Sequence, residues 1–217
     1  RADGELRPDD VTLDAPPWLA DDPVARAPGR GQRLAHLGAN WRLARRDEGW
    51  QVQIDQLALG RSEKDATLPT LSFEVDGRSA HGRMAQAPLD AVAQVARWLN
   101  PSFDAAQVAL TGTAKDIEFN WDATQPAGRR LQMSTTVQRA SIASRSESFA
   151  LHGLNARITG NERTIDLDLE SQDARVEFRD AFDEPFEGLR LASRIRLQTN
   201  PDGWHLTTSN LTLQKDA

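Results

Sequence analysis

Residues 49–59 read GWQVQIDQLAL, and residues 203–213 read GWHLTTSNLTL. The two stretches lie 154 positions apart (203 − 49). In the first, Trp50, Val52 and Ile54 fall on one side of an extended chain and Gln51, Gln53 and Asp55 on the other, the two-residue period of a half-buried strand. After Ile54 the apolar set slips by one residue, and Leu57 and Leu59 take over. A single slip inside a strand is what a β-bulge or bend produces. The second copy slips at the same place. The match also runs upstream: Leu37 answers Leu191, Trp41 answers Ile195, and Leu43 answers Leu197. The chain therefore writes one bent hairpin early and writes it again late, which constrains it to a stack of such units.

The chain between the copies obeys the same period. Leu71, Phe73 and Val75 alternate with Ser72, Glu74 and Asp76. Val108 and Leu110, then Ile117, Phe119 and Trp121, predict a hairpin turning at residues 112–115. Leu131, Met133, Thr135 and Val137 form the next apolar row. Phe149, Leu151, Leu154, Ala156 and Ile158 follow, then Ile165, Leu167 and Leu169, then Val176 and Phe178. Residues 88–99 break the rhythm: Leu89, Val92, Val95, Ala96 and Leu99 recur at helical spacing between Pro88 and Asn100-Pro101. Residues 1–34 are rich in Asp, Pro and Arg and predict an irregular, loop-rich segment, with a short strand possible at Val11-Thr12-Leu13. The expected fold is mostly β: a long twisted antiparallel meander of about ten to twelve strands, curled into a groove, with one short amphipathic helix. Residues 35–217 form this repeated segment. At ~4.8 Å per strand it extends about 50 Å.

Composition limits what such a sheet can do. Hydrophobic residues make up 39% of the 217, and each strand owns one apolar and one polar face. That suits a sheet with one side in water. A net charge of −6 without a basic tract argues against nucleic-acid binding. The absence of cysteine removes disulfides, thiolate metal sites and cysteine nucleophiles. No apolar run approaches the ~18 residues of a membrane-spanning helix. The chain opens at Arg1 without a signal peptide, which suggests a piece of a longer protein.

Catalytic patterns are weak. His36, His81, His152 and His205 show no metal-ligand spacing. Residues 141–148 are Ser-rich but lack the G-x-S-x-G elbow. Asp166, Asp168 and Glu170 alternate along one strand, as a solvated face requires, and Asp21-Asp22 lacks the calcium-loop pattern. No nucleophile or general base stands out, so the expectation is a non-enzyme with no cofactor and no metal.

The stretch at residues 49–59, the helical residues 88–99, the run LTGTAKDIEFNW at 110–121 and LHGLNARITGNE at 151–162 together resemble the YhdP proteins of the AsmA-like superfamily. The alternating strands at 164–178, the turn FDEP at 182–185 and the Gly203-Trp204 strand follow in the order that family shows. The order holds from about residue 35 onward. The resemblance implies a periplasmic protein of Gram-negative bacteria, held in the inner membrane by a helix outside this sequence. It also implies a β-groove, continued by adjoining segments of the same chain, that carries phospholipid between inner and outer membranes.

The residue pattern is compatible with that function. A one-sided apolar sheet must escape water against a second sheet, against helices or against a ligand, and one helix of ~10 Å diameter covers only a few strands. If the groove stays open, acyl chains gain about 0.8 kcal/mol per buried CH₂. The lining expected from the alternation is Val52, Ile54, Phe73, Val75, Ile117, Phe119, Met133, Leu167, Leu169 and Phe178. Trp50, Trp121 and Trp204 either line the groove or fill its bend. The alternative is a closed β-sandwich serving adhesion or glycan binding, in which the same residues are fully buried.

Overall fold

A computed structural model describes residues 2–6, 9–13, 32–46, 49–60, 67–68, 70–93, 108–144, 146, 148–200 and 203–215. The strands are β1 (Ala2–Leu6), β2 (Asp9–Leu13), β3 (Gln32–Arg45), β4 (Trp50–Gly60), β5 (Thr67–Leu68), β6 (Leu71–Asp76) and β7 (Ser79–Pro88). After the helical residues 89–93, here α1, come β8 (Val108–Asp122), β9 (Leu131–Ser144), β10 (Phe149–Asn161), β11 (Thr164–Phe178), β12 (Phe186–Asn200) and β13 (Gly203–Lys215). All belong to one antiparallel sheet in the order β1-β3-β4-β6-β7-β8-β9-β10-β11-β12-β13, with β2 and β5 pairing only β3 and β4. The path does not close on itself, so the sheet is open. Eleven strands in sequence order are the expected meander.

The two hairpins of the internal repeat have one geometry. In the first, Trp41 opposes Ile54, and the register shifts between Gly38 and Asn40, which oppose Ala58 and Asp55. Two β4 residues, 56 and 57, thus face one on β3. In the second, Ala192 opposes Thr212 and Arg194 opposes Ser209, again with one extra residue, at 210–211. Every one of these pairs is its counterpart displaced by the same 154 positions. The slip legible after Ile54 is a bulge in both copies.

Bulges recur at a similar depth in β8 through β13, where register shifts interrupt each successive pairing. Asp116, Arg139, Gly153, Gly188 and Asn210 mark them with φ of +51°, +50°, +71°, +65° and +54°… all left-handed. A left-handed first residue is the signature of a bulge that bends its strand and sharpens the local twist. Bulges strand backbone groups, and buried hydroxyls and an amide satisfy them. Thr135 donates its hydroxyl to the Lys115 carbonyl (2.9 Å), the Asn155 N–H donates to Ser171 Oγ (2.8 Å), and the Arg139 N–H donates to Asn155 Oδ1 (3.0 Å).

Four expectations need correction. Residues 108–122 form one long strand rather than a hairpin: Gly112, at φ +124°, and Asp116 are irregularities within β8. Leu169 and Phe178 likewise share a single strand, β11, whose pairing register shifts between Ser171 and Val176. The N-terminal segment is not all irregular, because β1 and β2 both pair with β3, which itself starts at Gln32. These edge strands hold through pairing, since their Asp- and Gly-containing sequences have little β-propensity of their own. Finally, Pro88 ends β7 opposite Thr113 rather than opening the helix. The expected helix is present over residues 89–93, and its remainder lies outside the described residues.

Candidate functional site

Because residues directly opposed in an antiparallel pair point to one face, the registers trace rows across the whole sheet. One row runs Ala2, Leu43, Val52, Phe73, Gly82, Phe119, Met133, Gly160, Ile165, Leu197, Leu206. It crosses all eleven strands of the path without a polar side chain. Four expected lining residues, Val52, Phe73, Phe119 and Met133, occupy it. The next row holds Ile54, Leu71, Met84 and Ile117, then, past the β8 bulge, Thr135, Ile158, Leu167 and Ile195. Leu169 lies one row further, opposite Ala156 and Ser193.

The adjacent alternate row is polar: Arg42, Gln53, Ser72, Arg83, Glu118, Ser134, Thr159, Asp166, Arg196 and Thr207. It lies on the opposite face. Arg83 pairs with Glu118 (3.3 Å), Arg194 with Asp168 (2.7 Å) and Arg196 with Asp166 (2.6 Å). The hydrogen bonds from Arg194 to Asp168 and from Arg196 to Asp166 raise the two arginine pKa values further above their already high level. These carboxylates therefore serve ion pairs on a solvated face.

Two glycines shape the apolar face. A Cβ on Gly82 would lie 1.9 Å from Cζ of Phe119. The bare backbone of β7 lets that ring lie across it and meet Phe73 edge-on, with centroids 5.1 Å apart and planes at 63°. At the N-terminal edge Gly4 does the same for Trp41, whose ring would stand 2.8 Å from an added Cβ.

The face is covered in part. Ala91 and Val92 of α1 pack with Leu71, Met84 and Ala87, and Ile54, Phe73, Ile117 and Phe119 pack against that cluster. Leu89 joins a second cluster built on Val137, Leu154, Ala174, Val176 and Leu189, which includes Leu169. The helix therefore sits on the apolar face rather than behind the sheet. Val52, Met133 and Leu167 belong to neither cluster and are half-buried. Val75 and Phe178 each lie at the C-terminal end of their strand and are 37% and 46% exposed. No second sheet lies on this face among the described residues.

Trp50 and Trp121 do not fill the bend. Trp50, Val75, Ala80, Trp121 and Leu131 form a row beside the turns, away from the bulges, and Trp50 is 47% exposed. The side chain of Trp204 is outside the described set. Alternation alone could have added Leu43, Ile165, Leu197 and Leu206 to the lining, because each continues its strand's apolar parity. Gly82 and Gly160 carry no such signal.

Outside this face little chemistry gathers. No cluster of metal-ligating side chains and no helix long and apolar enough to cross a membrane occurs among the described residues. Of the carboxyl groups with displaced pKa values, Asp122 and Glu177 stand at strand ends and Asp55 beside the β4 bulge. Hydrogen bonds from Thr70 and Gln53 hold Asp55 below the usual range, and the Thr124 hydroxyl and amide and Gln125 do so for Asp122. Burial pushes Glu177 up, but Arg179 and Arg175 outweigh it, so its carboxyl too sits low. Each of the three is an ionised structural partner.

The family model described as YhdP protein matches residues 5–217. The similarity thus reaches well into the N-terminal segment, past the limit near residue 35 expected from the motifs. No curated protein and no solved structure matches the chain.

Proposed function

The chain belongs to the YhdP family, and on that premise we propose that it is a lipid-carrying segment of a cell-envelope protein. Phospholipid acyl chains lie along the apolar face while headgroups remain in water. In this reading the segment works in the periplasm. Adjoining groove segments continue it at both ends, and an inner-membrane anchor belongs to another part of the protein. The segment catalyses no reaction.

The observation that carries the proposal is the unbroken apolar row from Ala2 to Leu206, half-buried at Val52 and Met133, with no sheet laid over it among the described residues. An exposed apolar strip larger than a few hundred Å² on a water-facing protein usually marks a binding surface. An acyl chain needs no polar specificity site, and each methylene laid in the strip contributes about 0.8 kcal/mol. A closed sandwich serving adhesion or glycan binding is disfavoured by the same exposure, because it would bury these side chains between two layers.

Mass spectrometry of lipids extracted from the purified chain tests the proposal. Co-purifying phospholipid is the expected result. A chain that stays lipid-free after expression in a Gram-negative host, and that takes up no labelled phospholipid from vesicles, would refute it.

A further inference from the structure

The outer edge of β13 carries no strand among the described residues. Its apolar side chains stand in water, with Leu206 50%, Leu211 64% and Leu213 54% exposed. The internal repeat shows what such an edge takes. The counterparts of Leu206 and Leu211 in the first copy are Val52 and Leu57, 154 positions earlier, and both are half-buried. In that copy the edge of β4 is occupied: β6 pairs with its first half, Val52 facing Phe73 and Ile54 facing Leu71, and β5 pairs beyond the bulge, Leu57 facing Leu68. The hairpins agree in register and bulge position, so their outer edges present the same pattern of backbone groups.

We propose that the β13 edge binds one further antiparallel strand of the β6 type. Its apolar residues stand at alternate positions opposite Trp204, Leu206 and Thr208, with polar residues between, and its pairing stops at the bulge at residues 210–211. The partner is an extended polypeptide segment, recognised by main-chain hydrogen bonds and by continuation of the apolar row. That an adjoining groove segment of the same protein supplies it rests on the reading above; the register does not. A long apolar edge left bare is otherwise a site of uncontrolled pairing.

The absence of cysteine makes the register measurable. A synthetic peptide of residues 70–77 stands in for the partner, carrying Cys in place of Phe73 or of Leu71. It is mixed under mild oxidation with the 217-residue chain bearing Leu206→Cys or Thr208→Cys, both exposed positions. The matched pairs are Leu206→Cys with Phe73→Cys, and Thr208→Cys with Leu71→Cys. Directly opposed Cβ atoms lie ~5 Å apart and diagonal ones ~7–8 Å, while a disulfide needs ~4 Å. Matched pairs should therefore cross-link at least about five-fold more than mismatched ones. Equal yields in the four combinations, or no peptide adduct, would overturn the proposal. A dominant disulfide homodimer of the Leu206→Cys chain would also overturn it, assigning the edge to a second copy. A lipid-free chain that still cross-links in register would sink the groove reading alone. A lipid-bearing chain without register preference would sink this one alone.

Discussion

Gly82→Ala is the sharpest test of how the apolar face is assembled. The added methyl would lie 1.9 Å from Phe119 Cζ and 2.4 Å from both Cε atoms, so the ring must leave its place over β7. Forcing a side chain out of a packed site costs typically ~1–3 kcal/mol. The edge-on contact with Phe73 is lost as well, worth ~0.5–1.5 kcal/mol. Replacing glycine in a strand returns about 0.5–1 kcal/mol of backbone entropy. The balance is a destabilisation of ~2 kcal/mol, read as a shift of the urea midpoint at constant m-value. A double-mutant cycle isolates the cause: in a Phe119→Leu background, where no ring overlies β7, Gly82→Ala should cost less than half as much. Equal penalties in the two backgrounds, or a single variant within ~0.5 kcal/mol of the parent, would refute the claim that Gly82 exists to seat that ring.

Three further outcomes follow from the same geometry. Met133→Asp combined with Leu167→Asp places two carboxylates on half-buried positions of the lane. Each displaces roughly three methylenes, ~2.5 kcal/mol, so co-purifying lipid should fall steeply by mass spectrometry while the circular dichroism spectrum holds; undiminished lipid would count against the lane. Gly153→Ala at φ +71° puts a Cβ 2.5 Å from the Asp173 carbonyl oxygen and should lower stability by ~2 kcal/mol or more, visible in the same denaturation assay. The depressed folded-state pKa values of Asp55, Asp122 and Glu177 add stability above the unfolded carboxylate range. That stability is lost as pH falls through the lower folded values, so the urea midpoint should hold above about pH 5 and decline below about pH 4.5. In Asp122→Asn the decline should be shallower.

Much of this face was legible because its residues carry their own signal. Val52, Phe73, Phe119 and Met133 alternate with polar neighbours, and parity alone puts them on one side. Their alignment into a single row was not legible, since register depends on turns and bulges that a period-two pattern does not date. The slip after Ile54 identified one bulge. Slips of the same kind at Gly112 and Asp116 looked like a turn, because a glycine beside a phase change describes either. Strand β7 was invisible for a different reason. Its residues Ala80, Gly82 and Ala87 are small, and the apolar bulk above Gly82 comes from Phe73 and Phe119 on its neighbours. Gly4 beneath Trp41 hid β1 the same way. A strand whose grease is lent by the strands beside it cannot be found by looking at it alone.

The bulge that travels with each copy of the hairpin has an evolutionary consequence. Duplication of this unit duplicates its bend, in the same place relative to the same turn. A protein growing by such copying lengthens without changing its bore, because every added hairpin arrives already curved. Reach and calibre are then separate inheritances: the number of copies sets one, and the residue count between turn and bulge sets the other.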